Sequence, residues 1–530
     1  MKLAIIKPGR PYNWRKTSTI CKHPRVITML FLGFSAGMPI LLIFSSLSLW
    51  LREAGVERAA VTYFSWAALG YSFKFVWAPL VDQFPIPLLT RLMGKRRAWM
   101  LLAQLMIIIA IAAMAATDPQ AGQNQLTQMA VAAVLLGFSS ATQDIVVDAY
   151  RIESAKVDWQ AIMSAAYMAG YRIAMLVAGA GSLYLAGWFG SSKETYLYEA
   201  WQMTYGIMGL MMLIGVITTL VIREPVTQVT QQYTYGYQDY LRFLWLFGSA
   251  VLGFIGCFYF SSDLVTNLKP LFTDWFANHY LGGFLVESLR LLSAITVALL
   301  IAFGLVRINL VDQNMLRQIW FLPVQAFFRR YGLPLAGLLL LLIGFYRISD
   351  IVLGVISNVF YQDLGYSKHE IASAVKVFGL IMTLVGGFIG GLLSMRFGVL
   401  RILLIGGILA AATNLLFMLL AHIGYHPVWL YIVVSADNLA AGLAAAAFIA
   451  FLSSLTQVSF TAMQYAIFSS LMTLLPKTLG GYSGQIVDTI GYPGFFLTTA
   501  LMGVPVLVLI VLLARRLRFN GSPDNQPDQP

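Results

Sequence analysis

The sequence predicts an all-α polytopic membrane protein: two six-helix halves with two extra helices inserted between them, fourteen transmembrane helices in all. Three observations predict it. Only 11% of the 530 residues are charged and 59% are hydrophobic, whereas a soluble domain carries about 25% charged residues. Apolar runs recur along the chain, each long enough to cross a bilayer, which takes about 20 residues. Threading those runs back and forth also places most Lys and Arg residues on one side.

Taken in order, residues 1–25 hold seven Lys or Arg and give way to a long apolar run. The run exceeds signal-peptide length and has no small-residue cleavage site, so it reads as a retained first span behind a cytoplasmic N-terminal segment. The first half, 26–222, contains spans at 26–50, 59–81, 98–117, 127–150, 160–188 and 200–222. A linker, 223–333, carries two more apolar spans at 243–262 and 284–306. It ends in "MLRQIWFLPVQAFFRR", apolar on one side and basic at its ends, which is expected to lie flat in the membrane interface. The second half, 334–514, has spans at 334–360, 370–394, 399–421, 427–454, 461–487 and 492–514. The tail, 515–530, opens on "RRLR" and closes on the polar, Pro-rich "NGSPDNQPDQP", a composition that disfavours order.

Charge tests the threading. With the N-terminus inside, the cytoplasmic segments hold 24 of the 35 Lys and Arg, and the opposite face holds Arg52, Arg58, Lys193, Lys269 and Lys368. An odd number of spans would put "RRLR" on the wrong face, so both termini are expected in the cytoplasm. The net charge of +12 then reflects topology, and no nucleic-acid partner is needed to explain it. Other chemistry is sparse. Cys21 and Cys257 cannot build a disulfide framework or a thiolate metal site by themselves. His422 and His426 have metal-pair spacing, but "HIGYHP" reads as a turn with no carboxylate nearby. No phosphate-binding G-x-x-x-x-G-K-[ST] loop occurs, which argues against ATP hydrolysis. No histidine lies deep in a span, so the constellation a membrane enzyme needs is missing. No cofactor or metal is expected.

Against this background stand charges inside the spans, each costing about 2.5–3.5 kcal/mol on insertion scales. The cations are Lys74, Arg172, Arg290, Arg347, Lys376 and Lys477; the acids are Asp144, Asp148, Glu287, Asp350, Asp437 and Asp488. Arg347 with Asp350, and Glu287 with Arg290, have the i, i+3 spacing that lets opposite charges neutralise each other on one helix face. Lys74 lies about 12 Å from the cytoplasmic end of its span at 1.5 Å per residue, too deep for an easy snorkel, and Arg172 is as deep. Each needs a facing acid or an aqueous cavity. In "SSATQDIVVDAYRIES", 139–154, Asp144 and Asp148 are four apart and share one face beside Gln143. Two such carboxylates fit an ion-coupling or binding site, since mutual repulsion makes one of them easier to protonate. A structural bridge from Asp148 to Arg151 is the alternative. The small-residue stretches "GGFIGG", "AGAGS" and "AAGLAAAAF" predict close helix packing.

The halves resemble each other. "LWLREAGVERAAVTYFSW" at 49–66 has a counterpart in "VFYQDLGYSKHEIASAVKV" at 359–377, and "APLVDQF" at 78–84 aligns with "GLLSMRF" at 391–397. This plan resembles the major facilitator superfamily of secondary transporters, with cargo held between the halves near the midplane. "APLVDQF" followed by "GKRRA" resembles the superfamily's loop between spans two and three, with Asp82 in the acid position and Arg96 and Arg97 supplying the cations. In the second half Met395 replaces the acid, while Arg396 and Gly398 remain. Asp82, Arg96, Arg97 and Arg396 are gate candidates, with a topological anchor as the bland alternative.

At "YSFKFVWAPLVD", "QDIVVDAYR", "GYRIAMLVAG", "YRISD", "AVKVFGL", "DNLAAGL" and "FTAMQYAIFSSL" the chain resembles the AmpG-type muropeptide permeases, a branch shared with acetyl-CoA transporters. The resemblance implies import of peptidoglycan-derived anhydromuropeptides from periplasm to cytoplasm across the bacterial inner membrane, by proton symport. It also implies a place in cell-wall recycling and an indirect link to β-lactamase induction. Such cargo is anionic, which makes Lys74, Arg172, Arg347 and Lys376 candidate carboxylate partners. Gln143, Asn438 and Gln464 are candidates for the disaccharide's polar groups, and Tyr71, Tyr171 and Trp77 for its ring faces. Asp144, Asp148, Asp350 and Asp437 remain as proton carriers or countercharges. The expected partners are the cargo, protons and the bilayer, with the chain acting as a monomer. Another anionic cargo, acetyl-CoA or a sugar phosphate, is the competing reading.

Overall fold

The computed structural model describes residues 22–56, 71, 73–156, 159–192, 195–225, 236–276, 279–480 and 483–519. The side chains of some residues within these ranges, including Glu287, Lys376 and Lys477, lie outside the description, as does the end of the tail. Among the described residues there is no strand, and thirteen helices are long and apolar enough to cross a membrane. The remaining span expected from the sequence, 59–81, falls largely on residues that are not described. Its end is a 3₁₀ turn, Lys74–Val76, followed by α2, Ala78–Gln83.

In the first half α1 is Pro24–Glu53, α3 Lys95–Ala115, α4 Gln123–Ser154, α5 Gln160–Trp188 and α6 Tyr198–Val221. In the second half α11 is Leu333–Ser357, α12 Ser373–Phe397, α13 Val399–Ile423, α14 Pro427–Leu455, α15 Thr461–Gly480 and α16 Ile486–Arg516. Lipid tails are as apolar as leucine, so helices in a bilayer associate through close packing and small residues. A methyl group on Gly33 would sit 2.0 Å from the Tyr167 carbonyl oxygen, and one on Gly170 only 1.8 Å from that of Leu30. Only glycine allows α1 and α5 this approach. The expected "GGFIGG" contact joins α12 to α14, where Gly386 and Gly390 lie under the carbonyls of Leu439 and Leu443.

Each half has its own core. Trp50 stacks on Trp201 at 5.6 Å between centroids in the first, and Phe360 meets Phe496 edge-on at 4.7 Å in the second. The membrane helices are irregular where the charges sit. α5 carries a π turn at Val177–Gly181 in the "AGAGS" stretch, and α12 carries one at Ala372–Phe378, around Lys376. α11 is interrupted at Arg347, whose φ of −100° and ψ of 13° cap a fresh helix starting at Ile348. Such bulges and breaks in membrane helices are tolerated where neighbouring groups re-satisfy the backbone.

Residues 230–326 form a second compact unit. Within it α7, Tyr237–Phe260, α8, Ser262–Phe276, and α9, His279–Arg307, lie against one another. Gly253 admits the Ile301 side chain, and Arg290 donates from Nε to Ser261 Oγ at 3.3 Å. The linker closes with α10, Leu322–Tyr331, whose last turn belongs to the main unit. There Phe327 meets Phe468 of α15 at 5.3 Å.

Candidate functional site

The first half buries a charge cluster that balances itself. α4 is entirely buried from Ser139 to Arg151, and its i, i+4 period turns Asp144 and Asp148 to one side. The 3₁₀ turn before α2 delivers Lys74 to them: its Nζ lies 3.8 Å from Asp144 Oδ2 and 4.0 Å from Asp148 Oδ2. Tyr167 OH of α5 donates to Asp144 Oδ1 at 3.2 Å. Arg151 Nη2 donates to Asp148 Oδ1 at 3.1 Å, the bridge considered from the sequence. Two cations thus face two carboxylates, all of them buried. A buried charge is tolerated when it is paired and hydrogen-bonded.

A second pair of cations has no such balance. Arg172, midway along α5, and Arg347, at the break in α11, come from different halves and feel each other's charge. Neither takes part in an ion pair within 4 Å among the described residues, and the buried Nε of Arg172 has no hydrogen-bond partner. The i, i+3 pairing expected of Arg347 with Asp350 does not form, because Arg347 lies outside helical geometry and the spacing loses its meaning. Asp350 interacts with Arg347 only at longer range. Asp437 accepts from Thr413 Oγ1 at 3.2 Å and shares the electrostatic neighbourhood of Asp350.

The other candidates are placed as follows. Tyr71 OH is hydrogen-bonded to Ser140 Oγ, and Tyr171 is half-buried beside Arg172, its ring 6.0 Å from that of Tyr167. Trp77 donates to Thr142 Oγ1 at 3.0 Å and is buried between α4 and the α2 turn. Gln143 is fully buried and donates to Ser35 Oγ at 2.7 Å. Asn438 accepts from Thr383 Oγ1 at 2.8 Å. Gln464 accepts from the Gln457 backbone at 2.8 Å, tying the start of α15 to its preceding turn. The Lys376 side chain lies outside the described residues.

At one end, where α2, α4 and α14 finish and α3, α5 and α15 begin, the two halves are hydrogen-bonded shut. This is the end carrying the basic loops, and it is called the basic end below. The first backbone N–H groups of a helix have no intrahelical partner and carry the positive end of the helix dipole. Asp82 accepts from two such groups of α15, Ala462 N at 3.2 Å and Met463 N at 2.8 Å. Arg96 Nη2 bonds Asp82 at 2.7 Å and Glu153 at 2.6 Å. Glu224 caps the start of α3 through the N–H groups of Arg96 and Arg97, and Arg97 itself donates to the Thr219 and Leu220 carbonyls. Burial pushes the Glu224 carboxyl above its usual range, against the pull of those donors. Gly94, at a φ of +90° and against the Glu224 side chain, permits that cap. Glu153 and Glu224 escaped the sequence reading because their partners lie 57 and 128 residues away.

The pseudo-equivalent contact in the second half is made without charge. Met395, in the acid position, is buried, and Gly391 brings α12 against Ala161 and Ile162 at the start of α5. Arg396 lies over the Phe397 ring at 5.4 Å.

Hydrogen bonds to charged groups are worth about 1.5–3 kcal/mol each. Asp82→Asn is therefore expected to raise the labelling rate of a cysteine at position 463 by about tenfold or more, by populating a state open at the basic end. An unchanged rate would show that the α15 cap does not hold this end closed.

A bundle shut at one end around unpaired mid-span cations from both halves has the build of a secondary transporter of the major facilitator superfamily. A family model described as Major Facilitator Superfamily matches residues 338–529. The proton:xylose symporter XylE has the same fold, with a TM-score of 0.60 at 12% identity over 95% of this chain and 97% of that one. FucP in its outward conformation gives 0.54 at 10% identity over 93% and 97%. Within the superfamily, the chain belongs to the AmpG family of transporters. It is 31% identical over 498 residues to putative transporter AmpG 4 of Rickettsia conorii, covering 94% of this chain and 98% of that protein. It is 28% identical over 508 residues to the anhydromuropeptide permease of Escherichia coli K12, covering 96% and 83%. A model described as Acetyl-coenzyme A transporter 1 matches residues 26–231.

Proposed function

We propose that the protein imports anhydromuropeptides, N-acetylglucosaminyl-anhydro-N-acetylmuramic acid and its peptides, from periplasm to cytoplasm by proton symport with alternating access. It does so across the bacterial inner membrane with both termini and the basic end in the cytoplasm. The import serves cell-wall recycling and bears indirectly on β-lactamase induction.

The observation that carries this reading is the unpaired pair Arg172 and Arg347. The two half-buried arginines, one from each half and near enough to repel, have no ion-pair partner within 4 Å among the described residues, and a carboxylate-bearing cargo supplies one as a bidentate or bridging partner. The permease named for anhydromuropeptides among the relatives supports this cargo over other anions. Tyr171 beside Arg172 offers a ring face for the sugar, and Lys376, Asn438, Asp350 and Asp437 supply the second-half side. Asp144 and Asp148 pair with Lys74 and Arg151 in a cluster whose balance a proton would upset, which makes them coupling acids.

Uptake of labelled anhydromuropeptide into proteoliposomes, with and without an imposed proton gradient, tests the reading. Wild type should accumulate cargo only with the gradient, and Asp148→Asn should bind cargo but fail to concentrate it. Folded wild-type protein that takes up none removes the cargo assignment. The acetyl-coenzyme A transporter match over residues 26–231 motivates the competing cargo. If acetyl-CoA or a sugar phosphate, and not muropeptide, blocks uptake of a labelled anion, that alternative replaces the first.

A further inference from the structure

The mechanism above uses Asp148 but leaves its neighbour Arg151 without a role. Arg151 is fully buried. Its Nη2 holds Asp148, and its Nη1 donates to Gln160 Oε1 at 3.2 Å and Ser164 Oγ at 3.0 Å, both on α5. The same Nη1 crosses to the other half, reaching Ser453 Oγ of α14 at 2.8 Å. The ring of Tyr465 on α15 lies under the guanidinium, 5.2 Å from centroid to Cζ. Its Nε has no partner. Gln160 fixes the α4 end by donating to the Arg151, Ile152 and Ala155 carbonyls, so the guanidinium has little freedom to move within the first half.

Asp148 therefore sits between two cations with one oxygen for each. Oδ2 faces Lys74 in the mid-span cluster, while Oδ1 neutralises the group that grips the second half. The geometry points to Arg151 as a positioning residue: a latch that transmits the charge state of Asp148 to the closure at the basic end. This inference rests on proton coupling as read above and adds the part that moves. With Asp148 ionised, Arg151 is neutralised and holds Ser453 and Tyr465. Protonation of the Asp148 carboxylate removes the nearest countercharge of Arg151. A buried guanidinium without a countercharge favours hydration, and the available route is parting of α4 from α14 and α15. The other charged or titratable groups facing the site are Lys74 from the α2 turn, Asp144 from α4, Tyr167 from α5 and Tyr465 from α15. None of them bridges Asp148 to the second half. Glu153, two residues beyond Arg151, is engaged by Arg96.

The experiment needs neither cargo nor transport, so it stands apart from the assignment of muropeptide. Cys21 and Cys257 are replaced by serine, and spin labels are placed at Lys156→Cys and Val458→Cys, exposed positions on the two sides of the closure. Distances are then read by double electron–electron resonance. Wild type at high pH should show mainly the short distance, and acidification should add a longer one. Asp148→Asn, neutral but of the same shape, should raise the long-to-short ratio by about tenfold or more at high pH and make it insensitive to acidification. Arg151→Gln should open the closure, and adding Asp148→Asn to it should change nothing further. Arg151→Lys, which keeps the charge without the fork, should fall between and serves if the glutamine variant does not fold. An Asp148→Asn distribution identical to wild type overturns the latch. So does an Asp148→Asn shift of full size in the Arg151→Gln or Arg151→Lys background, which would mean that Asp148 acts on the closure without Arg151. Wild type that fails to respond to pH while Asp148→Asn opens it would leave the latch standing and remove proton coupling.

Discussion

Lys74→Met is expected to destabilise the folded protein by about 3–5 kcal/mol, the usual consequence of removing one partner of a buried ion pair. The geometry makes the effect specific. Lys74 is the cation within 4 Å of Asp144 among the described residues, whereas Asp148 also has Arg151. Losing Lys74 thus strands Asp144. Asp144→Asn in the same chain should restore most of the stability, because asparagine keeps an oxygen for the Tyr167 hydroxyl and removes the stranded charge. Asp148→Asn should not rescue. It leaves Asp144 charged beside a methionine and Arg151 charged beside an amide, balanced in number but not in place. Thermal unfolding in one detergent of wild type, Lys74→Met, Asp144→Asn and the double variant closes the double-mutant cycle, with Lys74→Met/Asp148→Asn as the comparison. Equal rescue by both asparagines, or a harmless Lys74→Met, would show that the cluster is wet enough to need no local pairing.

This cluster shows where the sequence is legible. Asp144, Asp148 and Arg151 share a helix, so their spacing alone places them together, and the apolar runs mark the membrane helices found among the described residues. Lys74 as the partner is not legible, since the 3₁₀ turn Lys74–Val76 that brings it to α4 has no signal in the spacing of the residues. The break at Arg347 misleads in the opposite sense. The i, i+3 rule presumes a continuous helix, and Arg347 caps one instead. At the basic end the motif named Asp82 and Arg96 correctly as a pair. The contact of Asp82 with the α15 backbone is hidden because N–H groups carry no sequence label. Periodicity reads what lies on one regular element. Chemistry built from breaks, helix ends and cross-half approach needs the fold.

Arg172 and Arg347 should behave in the opposite way to Lys74, and the contrast separates a binding charge from a structural one. They are like charges, one from each half, that repel each other and have no ion-pair partner within 4 Å among the described residues. Arg172→Gln or Arg347→Gln relieves that repulsion, so the empty protein should unfold at the same temperature as wild type or higher, as is common at sites held ready for a ligand. Affinity for an anionic cargo should fall. A charge-assisted hydrogen bond contributes about 1.5–3 kcal/mol, which corresponds to roughly 10- to 150-fold in Kd for each variant. Two arginines gripping one carboxylate share a partner, so the double variant should lose less than the product of the two single losses. A cargo analogue with its carboxylates converted to amides should bind wild type weakly and lose little further on substitution. Titration calorimetry on purified protein reads all of these. A lower unfolding temperature for the empty single variants would make the arginines structural, paired in some way the ground state hides. Equal losses for charged and amidated cargo would mean that they shape the cavity without meeting the anion.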